Sequence, residues 1–206
     1  MKIRTILLAL LLVVTTVSVY SQSKLSLGFE AGINIANANQ TPSTSFGSKT
    51  GFIIGGMLDA SISPQFSIAP GIRFITKGNS YSGADGVASN SLSVIEIDAL
   101  LKVKFPLTEI KPYIFAGPNL GFILSATYSQ TPTGGTSSSQ DVSSNVETID
   151  FGLMFGGGLD FKVAPTMDIF GQFGYSLGLS NIQKNNPAST TKTTGIQLTT
   201  GLRFKL

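Results

Sequence analysis

The chain contains no cysteine, no histidine and no tryptophan, and only 12% of its 206 residues are charged. Without cysteine there is no disulfide framework, whatever compartment the protein reaches. Without histidine, the Ser-His and Asp-His arrangements of general-base catalysis are ruled out by composition. The common zinc sites, built from Cys and His, go with them. A soluble globule usually carries about 25% charged residues, so this chain is short of the groups that keep a surface wet. It has instead 23 glycines and a mean hydropathy of +0.27.

The length suits one domain with a substantial core, or two small ones. The N-terminus MKIRTILLALLLVVTTVSVYSQ has Lys2 and Arg4, an apolar run from Ile6 to Val14, and small residues at Val19 and Ser21 that suit cleavage before Gln22. A membrane anchor helix is the alternative, but the run falls short of the ~20 residues a span needs, and Thr15, Thr16 and Ser18 dilute it. The expected organisation is a signal peptide over 1–21 and one domain over 22–206. No cysteine follows the apolar run, which excludes a lipoprotein anchor. Removing Lys2 and Arg4 from the 14 basic residues leaves 12 against 11 acidic ones, so the mature chain is near neutral and nothing points to nucleic acid.

Past the leader, eight segments alternate apolar residues over strand-like lengths: 24–36, 49–62, 66–77, 92–104, 111–125, 148–163, 167–180 and 193–206. Their connections alternate too. Those at 37–48, 78–91, 126–147 and 181–192 are long and rich in Ser, Thr, Gly and Asn, while those at 63–65, 105–110 and 164–166 are short and carry Pro64, Pro106 and Pro165. An even strand number with short turns at one end and long loops at the other is the pattern of an outer-membrane barrel, with both termini at the periplasmic end.

Alternation alone does not say which face is inside, because an exported soluble barrel would alternate with its oily face inward. The stretch DFGLMFGGGLDFKV at Asp150 to Val163 poses the question: its odd positions are apolar apart from Gly157, and its even positions are largely charge and glycine. Every charge in the segments falls on the parity opposite the oily one. Nearly all strand glycines share it; only Gly56, Gly157 and Gly171 do not. Glycine weakens a strand and gives nothing back on an open wet face. Inside a narrow eight-stranded barrel it makes space, here for long charged side chains. The expected fold is therefore an all-β, eight-stranded, antiparallel up-and-down transmembrane barrel with its charged face inward.

This reading assigns a lumen charge network to Glu30, Asp59, Arg73, Glu96, Asp98, Lys102, Asp150, Asp160, Asp168 and Arg203. Counting up from the periplasmic end puts Arg73 level with Glu96, Asp98 and Glu30, and places Asp59, Lys102, Asp160 and Arg203 in a lower layer. Phe52, Phe74, Phe122, Phe151, Phe155 and Phe173 face lipid, while Phe66, Phe105, Phe161 and Phe204 sit near the periplasmic rim, where aromatic girdles belong. Pro70, Pro112 and Pro118 each remove a ladder donor from a sheet that has no free edge, so a bulge or strand end is expected near each.

The segments SLSVIEIDALLKVKFPLTEIKPYIFAGPNLGFIL, DFGLMFGGGLDF, YSLGLSNI and GLRFKL resemble the PorT-like outer-membrane β-barrel family of Bacteroidetes, over nearly all of the mature chain. The resemblance implies an outer-membrane barrel; no cofactor is expected. Asp98 stands where the family often has proline, and the chain ends in Leu206 rather than an aromatic, leaving Phe204 as the nearest assembly signal.

Glu96 and Asp98 could suggest a glycosidase-like acid and base pair, but a plugged barrel offers no cleft and an interior ion-pair network is favoured. Gly156 to Gly158 lie mid-strand with no helix after them, so a phosphate loop is weaker still. The expected partners are outer-membrane lipid, the barrel-assembly machinery and a protein or glycan at the loops, of which 126–147 is the longest and the most mobile. The expectation is a non-enzymatic barrel acting through its external loops or periplasmic rim. A narrow ion or small-solute channel and a soluble barrel holding an apolar ligand are the alternatives.

Overall fold

The computed structural model describes residues 25–41, 47–105, 110–184 and 189–206. The leader assigned to 1–21 and the turn residue Pro106 lie outside the described residues. Nine strands follow one another: β1 (Leu25–Thr41), β2 (Lys49–Ser61), β3 (Phe66–Gly83), β4 (Gly86–Lys104), β5 (Ile110–Pro132), β6 (Ser138–Asp141), β7 (Ile149–Ala164), β8 (Met167–Gly178) and β9 (Thr190–Lys205). All pairings are antiparallel. Eight of the strands close a ring in the order β1, β2, β3, β4, β5, β7, β8, β9 and back to β1, and β6 adds to β5 above the point where β7 ends.

Closure is continuous from Ser26 paired with Lys205 to Thr41 paired with Thr190. At the end with the short turns the Leu206 amide donates to the Leu25 carbonyl at 2.9 Å. A closed ring leaves no unpaired edge, which is what a bilayer core without water demands.

The two faces of each strand separate as the parity predicts. Phe52, Phe151, Phe155 and Phe173 point outward and are 43–54% exposed, and Phe74 and Phe122 point the same way, half-buried, with Phe74 stacked on Phe52. Phe66, Phe105, Phe161 and Phe204 are exposed at the short-turn end. Inward, Glu96, Lys102, Asp59, Arg73 and Asp150 are each at most 2% exposed.

Three expectations need correcting. The glycines on the inner face make room chiefly for aromatic, methionine and amide side chains rather than for long charged ones. A Cβ at Gly158 would meet the Tyr113 ring at 2.5 Å, one at Gly156 the Phe115 ring at 2.7 Å, one at Gly201 the Phe170 ring at 2.6 Å and one at Gly174 Met154 at 2.7 Å. Fewer lie against charged side chains: Gly55 against Arg73, Gly71 against Asp98, Gly78 against Lys49 and Gly121 against Asp150.

Pro112 lies at a strand end as expected, but Pro70 and Pro118 make neither a bulge nor a strand end. Beside Pro70 the β2–β3 ladder skips from Met57↔Gly71 to Ala60↔Ile68, and beside Pro118 the β4–β5 ladder skips from Asp98↔Asn119 to Leu101↔Ala116, both without a change of register. The missing N–H simply leaves one rung unmade. Pro112 stands near the start of β5, beyond its first β4 rung at Tyr113. The register shifts occur elsewhere, at Ser93/Val94 and at Lys162/Ala164.

The segments read as long loops at 78–91 and 126–147 are mostly strand. β3 and β4 stay paired from Phe66↔Val103 to Gly83↔Gly86, and β4 stays paired with β5 up to Gly86↔Pro132. At 18, 19 and 23 residues these strands are far longer than the ~9–11 that cross a bilayer, so a polar sheet of β3, β4, β5 and β6 stands clear of the membrane on the long-loop side.

Candidate functional site

From the short-turn end upward, the lumen is layered. At the rim Lys205 pairs with Asp168 at 2.9 Å. Asp59 then accepts from Lys104 at 2.8 Å and lies 3.6 Å from Lys102 and 3.7 Å from Arg203, which in turn pairs with Asp160 at 2.7 Å. Beside these groups Tyr113, Phe115, Leu100, Ala69 and Met154 form an apolar cluster. Aromatic rings at this level do electrostatic work as well: the Lys102 ammonium lies 5.0 Å from the Tyr113 ring centre, and the Arg203 guanidinium lies 4.9 Å from that of Phe170.

A second ionic layer centres on Arg73, paired with Glu96 at 2.7 Å, Asp98 at 3.2 Å and Glu30 at 3.7 Å. Lys77 extends it, reaching Glu96 at 2.8 Å and Asp150 at 3.0 Å. Here four carboxylates face two cations. Neutral donors supply the remainder: Gln172 and Thr199 donate to Glu30 at 3.1 and 3.0 Å, and Thr193 and Ser180 donate to Asp150 at 2.7 and 3.2 Å. Buried charge persists only when matched in this way. The structure thus brings Glu30, Arg73, Glu96, Asp98 and Asp150 into one layer and Asp59, Lys102, Asp160 and Arg203 into another, with Asp168 at the rim.

Sequence reasoning missed what lies above. Ile53, Ile75, Leu92 and Val94 on the inward parity, with Ala126, which the register shift opposite Ser93/Val94 turns inward, form an apolar floor with Ile182 from the connection after β8. The signal was present but short: Phe52 to Ile54, Phe74 with Ile75, and Val94 with Ile95 put apolar residues on both faces of β2, β3 and β4. Two segments cross the mouth above this floor. Val142 and Val146 pack down on it from either side of a short turn at 143–145. The crossing is stitched to β5 by the Val142 amide donating to the Ala126 carbonyl at 2.9 Å, and to the 181–184 segment by the Glu147 amide donating to the Ile182 carbonyl at 2.8 Å. Nearby, Ser143 hydrogen-bonds the Asp141 carboxylate and holds it below the usual carboxylate range.

Between this crossing and the emergent strands lies a cavity of about 310 Å³. Six amide side chains, Asn37, Gln40, Asn79, Asn90, Asn145 and Gln183, line it together with Tyr128, Thr191 and Thr193, over Leu92, Ala126 and Ile182. No ionisable group other than Tyr128 lines it. The molecule therefore presents two candidate sites, the charged lumen and the neutral mouth with its cavity.

The comparisons agree with this architecture. Neisserial surface protein A is 19% identical, with a TM-score of 0.53 over 87% of this chain and 97% of its own. The outer membrane protein OprG from Pseudomonas aeruginosa is 10% identical, with a TM-score of 0.53 over 89% of this chain and 96% of its own. A major outer membrane protein from Thermus thermophilus is 12% identical, with a TM-score of 0.53 over 88% of this chain and 99% of its own. At such identities the likeness is one of fold. No curated protein matches the chain. Residues 20–184 match the family model described as outer membrane protein beta-barrel domain. With grease outward, charge inward and the ring closed, this chain belongs to the outer membrane protein beta-barrel domain family and resides in the outer membrane.

Proposed function

We propose that the protein is a non-catalytic, PorT-like outer-membrane barrel that works through its external face, as a surface-interaction component anchored by the barrel. The observation that carries this reading is the continuation of β3, β4 and β5 beyond the bilayer into a sheet rich in Ser, Thr, Asn and Tyr, with β6 added at its side. A protein that needed only an anchor would gain nothing from paired strands standing in solvent. Ser, Asn and Tyr are the residues that other recognition surfaces use for adaptable hydrogen bonding and rigid contact.

The filled lumen weighs against the channel alternative. Eight strands leave room for side chains only, and here two ionic layers and an apolar floor occupy that room. Outer-membrane lipid and the barrel-assembly machinery are the partners proposed for the membrane-embedded part, with removal of residues 1–21 on export. A chain without histidine is poorly equipped for hydrolysis, which favours the non-catalytic reading.

The test is to trim the emergent sheet, replacing 79–90 by a two-residue turn and 127–140 by a short linker. Cells carrying the trimmed barrel are then compared with wild type for surface-dependent binding, by crosslinking on intact cells. A trimmed barrel that still migrates as a folded, heat-modifiable band but captures no surface partner is the expected result. Equal capture by both, or single-channel steps from the wild-type protein in planar bilayers, would refute the proposal.

A further inference from the structure

We infer that the mouth cavity is a binding site for a neutral sugar, a pyranose unit that is either free or the terminal residue of a surface glycan. The inference deepens the surface-interaction reading above and rests on it. Three features of the cavity select this chemistry.

The first is charge. An ionic ligand would lose its hydration in a cavity lined by no group charged at neutral pH, and burial of unmatched charge costs several kcal/mol. The ion pairs beneath lie under Ile53, Ile75, Leu92 and Val94, and the Thr193 hydroxyl of the wall is already turned to the Asp150 carboxylate.

The second is hydrogen-bonding capacity. A side-chain amide offers two donors and a two-lone-pair acceptor in one plane, which matches adjacent ring hydroxyls that both give and take. Asn90 donates to Asn79 at 3.0 Å, Gln40 to Ser189 at 3.1 Å, and Gln183 accepts from Thr191 at 3.0 Å. Each bond fixes an amide's orientation while using only part of its capacity, so the wall is oriented and still able to bind. Asn79 and Thr193 are 5% and 3% exposed, so their rotamers are held by packing.

The third is the floor. Leu92, Ala126 and Ile182, with Tyr128 at the side, offer an apolar surface for the C–H face of a sugar ring or for an N-acetyl methyl. The volume lies at the low end of the range for small-molecule pockets, roughly 300–1,000 Å³, which suits one or two rings. An alkyl chain would strand the amides without partners, and an extended peptide would need an open sheet edge to pair with.

The experiment uses the full barrel folded in an amine-oxide detergent, because maltoside headgroups would compete. Saturation-transfer NMR and calorimetry measure N-acetylglucosamine and galactose, with glucuronic acid and glucosamine as charged controls, and immobilised neutral glycans with the same terminal units. Binding of a free neutral sugar, or of the glycan-linked unit alone, supports the inference and separates the two sources. Asn90→Trp fills the cavity and is expected to abolish binding, while Gln183→Leu weakens it about tenfold, as loss of one ligand hydrogen bond implies. Both variants are checked for a heat-modifiable folded band. No binding by any neutral probe, equal binding of the charged controls, or unchanged binding in a folded Asn90→Trp protein overturns the inference. If surface partners are still captured through the emergent sheet while no sugar binds, this inference falls alone; if trimming the sheet changes nothing, the function reading falls first.

Discussion

The lower and upper halves of the lumen solve the same packing problem with opposite chemistry. Below, the interior of a barrel with a greasy outside is filled by ion pairs: Arg203 with Asp160, Asp59 with two lysines, and Arg73 with three carboxylates. Above, at the height where the strands leave the bilayer, it is filled by Ile53, Ile75, Leu92, Val94 and Ile182, under a neutral, amide-walled cavity. In the lower half, charge shares the interior with the cluster of Tyr113, Phe115, Leu100, Ala69 and Met154, while the outer face is committed to lipid. The upper half, toward the mouth, packs its interior as a soluble protein does, with apolar residues inward. One tube therefore changes from inside-out to ordinary protein along its own axis.

The sharpest way to break that contrast is Arg73→Ala. It leaves Glu30, Glu96 and Asp98 facing one another in a sealed interior, and a cost of about 3–5 kcal/mol is expected. The readout is a lower temperature at which the folded band is lost on a semi-native gel. Glu96→Gln added to that variant should recover part of the loss, since it removes one of the stranded charges.

Next comes Phe155→Lys. Phe155 lies midway between the outward-facing Phe161 and Ile149 on β7, and a lysine near the bilayer midplane costs roughly 2–4 kcal/mol. Reversible unfolding by urea in lipid vesicles would read this, and an unchanged midpoint would contradict an outward, lipid-facing β7.

In the upper half Leu92→Ala is expected to cost about 2 kcal/mol, the lower end for such truncations, because the site already borders a cavity. The same unfolding series measures it. A larger loss than for Arg73→Ala would reverse the ranking of the two halves.

The smallest effect belongs to the rim. Lys205 is partly exposed, and Lys205→Ala, which removes its pair with Asp168, should cost at most about 1 kcal/mol and fade in high salt. A loss as large as that from Arg73 would mean the rim is sealed from water.

Much of this was legible in the sequence, because strand geometry makes it so. With a side-chain period of two, the parity of Glu30, Asp59, Arg73, Glu96 and Asp160 is fixed once any one of them points inward. Counting residues from the short turns was enough to set Arg73 level with Glu96. The placement of Ile182 and Val146 over the mouth was not legible. They come from connections with no period, and their position depends on the bond from Glu147 to Ile182 and on the pairing of Val146 with Gln183. The strand extensions were hidden for a related reason. Segments such as NSYSG and VASNS carry no apolar alternation, and they become strands because β3, β4 and β5 are already aligned beneath them and each new rung adds to an existing ladder.

By itself the sequence determined which residues face in and which face out, through alternation, glycine placement and the scarcity of charge. The tertiary structure alone decided how far the sheet rises above the membrane and what closes its mouth. Facing is a local property of each residue's place in the pleat. The height of the wall and the shape of the cavity depend on contacts between segments far apart in the chain, and no local pattern encodes those.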